Sequence, residues 1–237
     1  MASDTRAWVA LPDACTGKPG YFTGPGVVDV AFGESEATSR DSAEAAKRQR
    51  LLASLVVHSA NATMRELGCS GSLSRPGNLT AVPDYETVGN DRTLCGIKDV
   101  ILPRKYVGSG ARERRSVGEN GPVRSCDIAT GRDPLPRLRL KTVQESDLTE
   151  AFTNAVLKQG KFFTYEKPSD DTVSVNGNYS ATQAAVRIAC KKHTAVFIAQ
   201  DEHSTGGHTF IADVFPAYVS AESERLGCGP VKIRAQD

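Results

Sequence analysis

The stretch Asp41 to Leu67, DSAEAAKRQRLLASLVVHSANATMREL, fixes the first large element of the fold. Ala43, Ala46, Leu51, Leu55 and Ala62 recur at helical spacing, and Leu52, Val56 and Val57 widen the stripe, so the segment predicts one long amphipathic helix. Ser39 or Asp41 can cap its start, Glu44 complements the positive end of the dipole, and Gly68 stands where a left-handed terminator belongs. Ahead of the helix, Gly26 to Phe32 (Val27, Val28, Asp29, Val30, Ala31, Phe32) reads as a strand that enters it through Gly33-Glu34-Ser35.

Downstream the character changes. Between Gly68 and about Pro136, glycines and prolines break the chain into short pieces, and a strand is expected only at Gly96 to Val107. Gly108 to Arg124 is nearly devoid of apolar residues and carries Arg112, Arg114 and Arg115, which predicts an exposed loop able to meet an anionic partner. Asp133-Pro134-Leu135-Pro136 reads as a linker, because two prolines stiffen the chain and remove backbone donors. The expected domains are therefore 1–134, an α+β domain with the long helix and a loop-rich region, and 135–237.

In the second half, Leu138 to Val143 alternates as a strand, Ser146 to Gly160 reads as a helix, and Lys161 to Glu166 as a strand. Ser180-Ala181-Thr182-Gln183 fits a capping box opening a helix over Ala184, Ala185, Ile188 and Ala189, with His193 at its end. The run Ala195-Val196-Phe197-Ile198-Ala199 suits a strand covered on both faces, and Phe210 to Val219 a last strand paired with it. The fold class expected is α+β: two small domains, each a short mixed sheet packed by one or two helices.

Six cysteines, Cys15, Cys69, Cys95, Cys126, Cys190 and Cys228, are widely scattered, with no CxxC or HxxxH. An even count without metal-ligand spacing points to disulfides and an oxidising compartment, periplasmic or secreted, with a signal peptide expected to have been removed ahead of the chain. Cys69 with Cys95 and Cys190 with Cys228 are the pairings expected. Lys plus Arg total 29 against 28 Asp plus Glu, so no global field draws the protein to nucleic acid or anionic lipid. No apolar run is long enough to span a membrane. Asn61, Asn78 and Asn178 begin glycosylation acceptor patterns.

Motifs that carry chemistry are sparse. The turn Asp201 to His208 could lend carboxylate and imidazole ligands to a metal, but no third ligand group stands at helical spacing beside His203 and His208. No G-x-S-x-G occurs, and the glycines near Gly17 and Gly24 lack the spacing of a phosphate loop. Neither catalytic residues nor cofactors are expected. Two alternatives stay open: a glycan- or small-ligand-binding module using Tyr106, Tyr165 and Tyr218 between the domains, and a metal-dependent hydrolase at the histidine turn.

The strand and alanine-dense helix from Gly26 to Leu67 resemble the strand-plus-long-helix module of small outer-membrane lipoproteins and of the flagellar T protein. The later segment resembles that family's middle domain, itself similar to the amino-terminal domain of TolB. The matching stretches are Leu157 to Phe162, Ala184 to Ala189, Ala195 to Ala199 and Phe210 to Phe215. The resemblance implies a non-enzymatic component of the cell envelope, of a flagellar or other envelope-spanning machine, whose partners are envelope proteins or copies of itself.

Overall fold

A computed structural model describes residues 6–17, 26–31, 42–79, 83–107, 110–116, 123–130, 136–144, 161–166, 173–190, 193–201 and 210–235. It is a mixed α+β structure that divides into two compact units, Met1–Asp84 and Tyr85–Asp237. The expected helix at 146–160, the histidine turn and most of the proline linker lie outside the described residues.

In the first unit, β1 (Arg6–Ala10) pairs antiparallel with β2 (Val27–Ala31), α1 is a single turn (Asp13–Thr16), and α2 (Ser42–Glu66) is the long helix. The helix is where expected but its buried face is turned from the stripe read in the sequence: Ala45, Leu52, Ala53, Val56, Ala60 and Met64 are buried, whereas Ala43, Leu51 and Leu55 are exposed and Ala46 and Ala62 only half-buried. Leu52 and Val56 pack with Ala7, and Ala60 and Met64 pack with Leu11. Gly68 adopts φ +71°, the Gly68 amide donates to the Arg65 carbonyl and the Cys69 amide to that of Met64, so the helix ends in the left-handed terminator its glycine foretold.

The second unit is built on one antiparallel sheet of eight strands, ordered β3-β4-β5-β6-β11-β10-β9-β7. Their ranges are β3 Glu86–Thr87, β4 Arg112–Ser116, β5 Val123–Ala129, β6 Leu138–Val143, β7 Lys161–Phe162, β9 Ser174–Tyr179, β10 Gln183–Ala189 and β11 Thr194–Asp201. A separate pair joins β8 (Thr164–Tyr165) to β12 (Ile233–Arg234), and α3 (Phe210–Arg225) packs its buried residues into the core of the sheet. The sheet replaces the short mixed one expected. It also crosses the expected boundary at 134, because β5 and β6 on either side of it are hydrogen-bonded neighbours.

Elements of the second unit differ from expectation for identifiable reasons. Gln183–Ala189 is a strand, since the Ser180 hydroxyl oxygen accepts from the amides of Thr182 and Gln183 and closes the β9–β10 turn rather than capping a helix. With Ala184, Ala185, Val186 and Ile188 all buried, burial on both faces outweighs the helical preference of alanine. Phe210–Arg225 is a helix despite Pro216, its buried Phe210, Ile211, Val214, Phe215, Tyr218, Val219 and Glu222 following helical spacing. Gly96–Val107 is mostly a folded loop, joined only by an isolated bridge between Thr93 and Ile101.

Gly177 is required where it stands. A Cβ there would lie 2.7 Å from Val186 Cγ2 and 2.8 Å from the Ala185 carbonyl of the neighbouring strand.

Candidate functional site

All six cysteines are paired: Cys15–Cys69, Cys95–Cys126 and Cys190–Cys228, with Cα separations of 5.1, 5.8 and 5.4 Å. The last pair is the one expected. Cys69 bonds to Cys15 rather than Cys95 because the end of α2 delivers it to α1 inside the first unit, whereas Cys95 lies over β5 in the second.

Cys95 belongs to a backbone knot between Asp91 and Leu102. Arg92, Cys95 and Asp99 adopt φ of 59°, 60° and 68° without being glycine, and Gly96 adopts 61°. Such left-handed positions are disfavoured for residues with a Cβ and persist only where surroundings over-determine them. Here Leu94, Ile97, Val100 and Leu102 are buried, and the amides of Leu94 and Leu102 donate to the carbonyls of Val100 and Arg92. The Cys95 amide donates to Glu113 Oε2 at 2.5 Å, and the Arg115 guanidinium donates to Glu113 Oε1 at 3.0 Å. Arg115 passes so near Gly96 that a Cβ would sit 2.6 Å from its Nη1.

Beside this knot lies a fully buried carboxylate. Glu222 on α3 accepts from Arg124 Nη1 at 2.7 Å, from Arg225 Nε and Nη2 at 3.0 and 2.9 Å, and from the Thr142 hydroxyl at 3.0 Å. Thr142, having spent its proton on Glu222, accepts from the Tyr218 phenol at 2.7 Å. Burial, reinforced by the Glu222 charge, pushes the Tyr218 phenol above its ordinary range. Glu222 thus has both oxygens occupied and Tyr218 holds its proton, an arrangement that fixes a helix to a sheet and offers no poised base.

The knot and the end of α3 border an open cavity of about 780 Å³, lined among others by Lys98, Asp99, Arg124, Ser220, Glu224 and Arg225. Its charged heads are of both signs, and two of them, Arg124 and Arg225, are the guanidinium groups bonded to Glu222.

The arginines expected in a loop stand on β4. Arg114 and Asp127 form a buried pair at 2.7 Å, their side chains 6% and 8% exposed, and the Tyr85 ring lies beneath Arg114 and Arg112 at 4.7 and 5.6 Å. Only Arg115 is largely exposed, and its guanidinium already bonds Glu113. The loop reading is corrected: alternation along β4 puts Arg114 on the sheet face opposite the core residues Cys126 and Ile128, where Asp127 meets it across the strand pair and the Tyr85 ring covers it.

Burial alone would raise the Asp127 carboxyl, but the charges of Arg114 and Arg139, the Arg114 hydrogen bond and the charge of Lys141 outweigh it and hold the group below the ordinary value of 3.8. Because Asp127 titrates lower in the folded than in the unfolded chain, its stabilising contribution is complete above the unfolded value and is lost as pH falls through the folded one. Urea midpoints between pH 6 and pH 3 should therefore fall less steeply for Asp127→Asn than for the parent. Parallel slopes would overturn the assignment.

The tyrosines expected to line a ligand site all belong to the second unit. Tyr218 is buried under the sheet, Tyr165 is exposed on β8, and Tyr106 stacks on Phe210 with ring centroids 4.0 Å apart. The Tyr106 hydroxyl donates to Asp213 at 2.6 Å, and Lys105 pairs with the same carboxylate at 2.7 Å. Burial, then the bond to Asp213 and its charge, push the Tyr106 phenol up. Of the glycosylation patterns, Asn178 is 1% exposed and Asn61 is bound through both side-chain atoms to the Leu73 backbone, which leaves Asn78 exposed.

Arg124, at the end of the segment expected to be a loop, stands on β5 and meets Thr142 of β6 and Glu222 of α3; Glu222 and Arg225, three residues apart on α3, are the one local signal in the sequence. No family model, no curated protein and no solved structure matches the chain.

Proposed function

We propose that the chain is a non-enzymatic, exported component of a bacterial cell envelope that acts through contacts with envelope proteins or with copies of itself. The observation that carries the reading is the complete pairing of the six cysteines, one disulfide in the first unit and two in the second. Disulfides persist in oxidising compartments and are rare where glutathione keeps thiols reduced. No helix among the described residues is long and apolar enough to cross a membrane.

The kinship with lipoprotein-type modules and the flagellar T protein rests on β2 and α2, which support the strand-plus-long-helix unit. It leans less on the TolB-like segments, because Gln183–Ala189 is extended and Phe210–Arg225 helical. Occupation of Glu222 by fold-holding bonds fits a binding role better than a catalytic one.

Intact mass of natively exported protein, alkylated under denaturing conditions with and without reductant, tests the proposal. Three disulfides predict no alkylation without reductant and six adducts with it; six adducts without reductant would remove the compartment from the reading.

A second reading, a binding module for a small polar ligand, is favoured by the left-handed backbone at Arg92, Cys95 and Asp99 beside the open cavity. A panel of amino acids, dicarboxylates and amino sugars should contain a compound that raises the thermal midpoint, since a ligand bound only by the folded state must do so. A panel with no effect counts against it.

A further inference from the structure

The three disulfides sit in different chemical surroundings. Cys95 and Cys126 are both 2% exposed, and the carboxylate beside them, Glu113, is already bound to the Cys95 amide and to Arg115. Cys15 and Cys69 are half-buried, and among the described residues no histidine or carboxylate groups with their sulfurs.

At the third pair, Cys190 is half-buried at the end of β10 while Cys228 is 7% exposed. His193 stands beside them with its Nε2 3.9 Å from Cys228 Sγ. Two local devices hold this arrangement. The Cys190 amide donates to the His193 carbonyl at 2.9 Å and closes the β10–β11 hairpin. Gly227 at φ +76° ends α3, with the Cys228 amide bonded to the Ser223 carbonyl. Thus Cys190 is the more exposed residue of the pair, Cys228 the more buried, and the imidazole, within 4.8 Å of both sulfurs, has its Nε2 at 3.9 Å from that of Cys228.

That asymmetry is what directed thiol–disulfide exchange requires. The attacking thiolate must reach one sulfur in line with the bond, and the rate rises when the departing sulfur is stabilised as it takes up charge. An imidazole in contact with a departing sulfur can stabilise the thiolate or supply its proton.

We propose that Cys190–Cys228 is an exchange site for a low-molecular-weight thiol, attacked at Cys190 and released at Cys228 onto His193. A new bond forms between the incoming sulfur and Cys190 Sγ, and the Cys190–Cys228 bond breaks with its electron pair passing to Cys228 Sγ. One thiolate and one disulfide enter and one of each leaves, so no separate oxidant is needed. His193 holds the new thiolate or protonates it. The product is the chain thiolated at Cys190 with Cys228 free, and attack by Cys228 on the mixed disulfide restores the starting bond.

The test is a time course of the full-length protein with excess reduced glutathione, quenched in acid, alkylated and mapped by peptide mass. Glutathione is expected on Cys190 with the alkyl group on Cys228, ahead of any adduct at Cys95 or Cys126. His193→Gln is expected to slow that adduct by about tenfold, while the buried Cys95–Cys126 bond of the same unit stays unreacted over the same interval and reports an intact fold. Glutathione on Cys228, no adduct at this pair, or an unaltered rate in His193→Gln would each overturn the proposal. The position of the adduct is read on the parent protein and does not depend on the variant folding.

Discussion

Replacing Glu222 by alanine is expected to destabilise the second unit by about 3 to 5 kcal/mol, the usual cost of breaking a buried ion pair from one side. The carboxylate is fully buried between Arg124 and Arg225, whose side chains are 15% and 29% exposed. Its loss strands the Arg124 guanidinium and leaves the Thr142 hydroxyl and Tyr218 phenol with a truncated chain of bonds. Against a whole-domain stability of roughly 5 to 15 kcal/mol, that loss is measurable as a large drop in urea midpoint. Joint replacement of Glu222 by methionine and of both arginines by leucine should recover much of it, because removing every charge together leaves none uncompensated. A cost for Glu222→Ala below about 1 kcal/mol would mean that the cluster is solvated rather than buried.

The second large effect is expected in the first unit. Removing Cys15–Cys69 with paired serine substitutions should cost about 4 kcal/mol by the chain-entropy relation, since the bond closes a sequence separation of 54 residues. The unit has little to compensate with. Among the described residues, buried apolar side chains gather in small clusters around Leu52 and Val56 and around Leu11, Ala60 and Met64, and small domains depend on staples. Hydrogen exchange should show α2 amides losing protection while amides of β5, β6 and β11 keep theirs, because both cysteines lie in the first unit. Unchanged protection in α2 would show that the helix is held by its packing alone.

Elements whose own residues settle their structure were legible in the sequence. The extent of α2, its terminator Gly68, and the strands β2, β6 and β11 stood in the residues themselves, though the buried face of α2 did not, because alanines and leucines on several sides of that helix offer more than one stripe. Where one pattern serves two structures, the reading turned on tertiary burial. Ser180 to Gln183 satisfies a helix cap and a tight turn with the same hydroxyl, and Phe210 to Val219, read as the hairpin partner of the Ala195 to Ala199 run, buries its apolar residues at helical spacing instead. The β4 arginines looked solvated because their partner Asp127 comes from another strand. The Glu222 cluster draws Arg124, Thr142 and Glu222 from positions as much as 98 residues apart, a register only the folded sheet defines. One signal was overlooked: Leu67-Gly68-Cys69 and Leu226-Gly227-Cys228 repeat a helix terminator followed by a disulfide cysteine, and both cysteines bond to segments beside the helix ends they close.

The order of strands bears on how the chain is made. Along its middle, β6 pairs on one side with β5, its predecessor, and on the other with β11, from Val143 opposite Val196 to Leu138 opposite Asp201. During synthesis the β3–β6 half therefore emerges with an open edge of amides and carbonyls, and the strand that seals it arrives only when Asp201 has left the ribosome. An unsealed edge of this kind is a template for pairing with other chains. A nascent or translocating chain thus has a long interval in which a holding chaperone is worth most, and truncations ending before residue 194 should be the ones that aggregate.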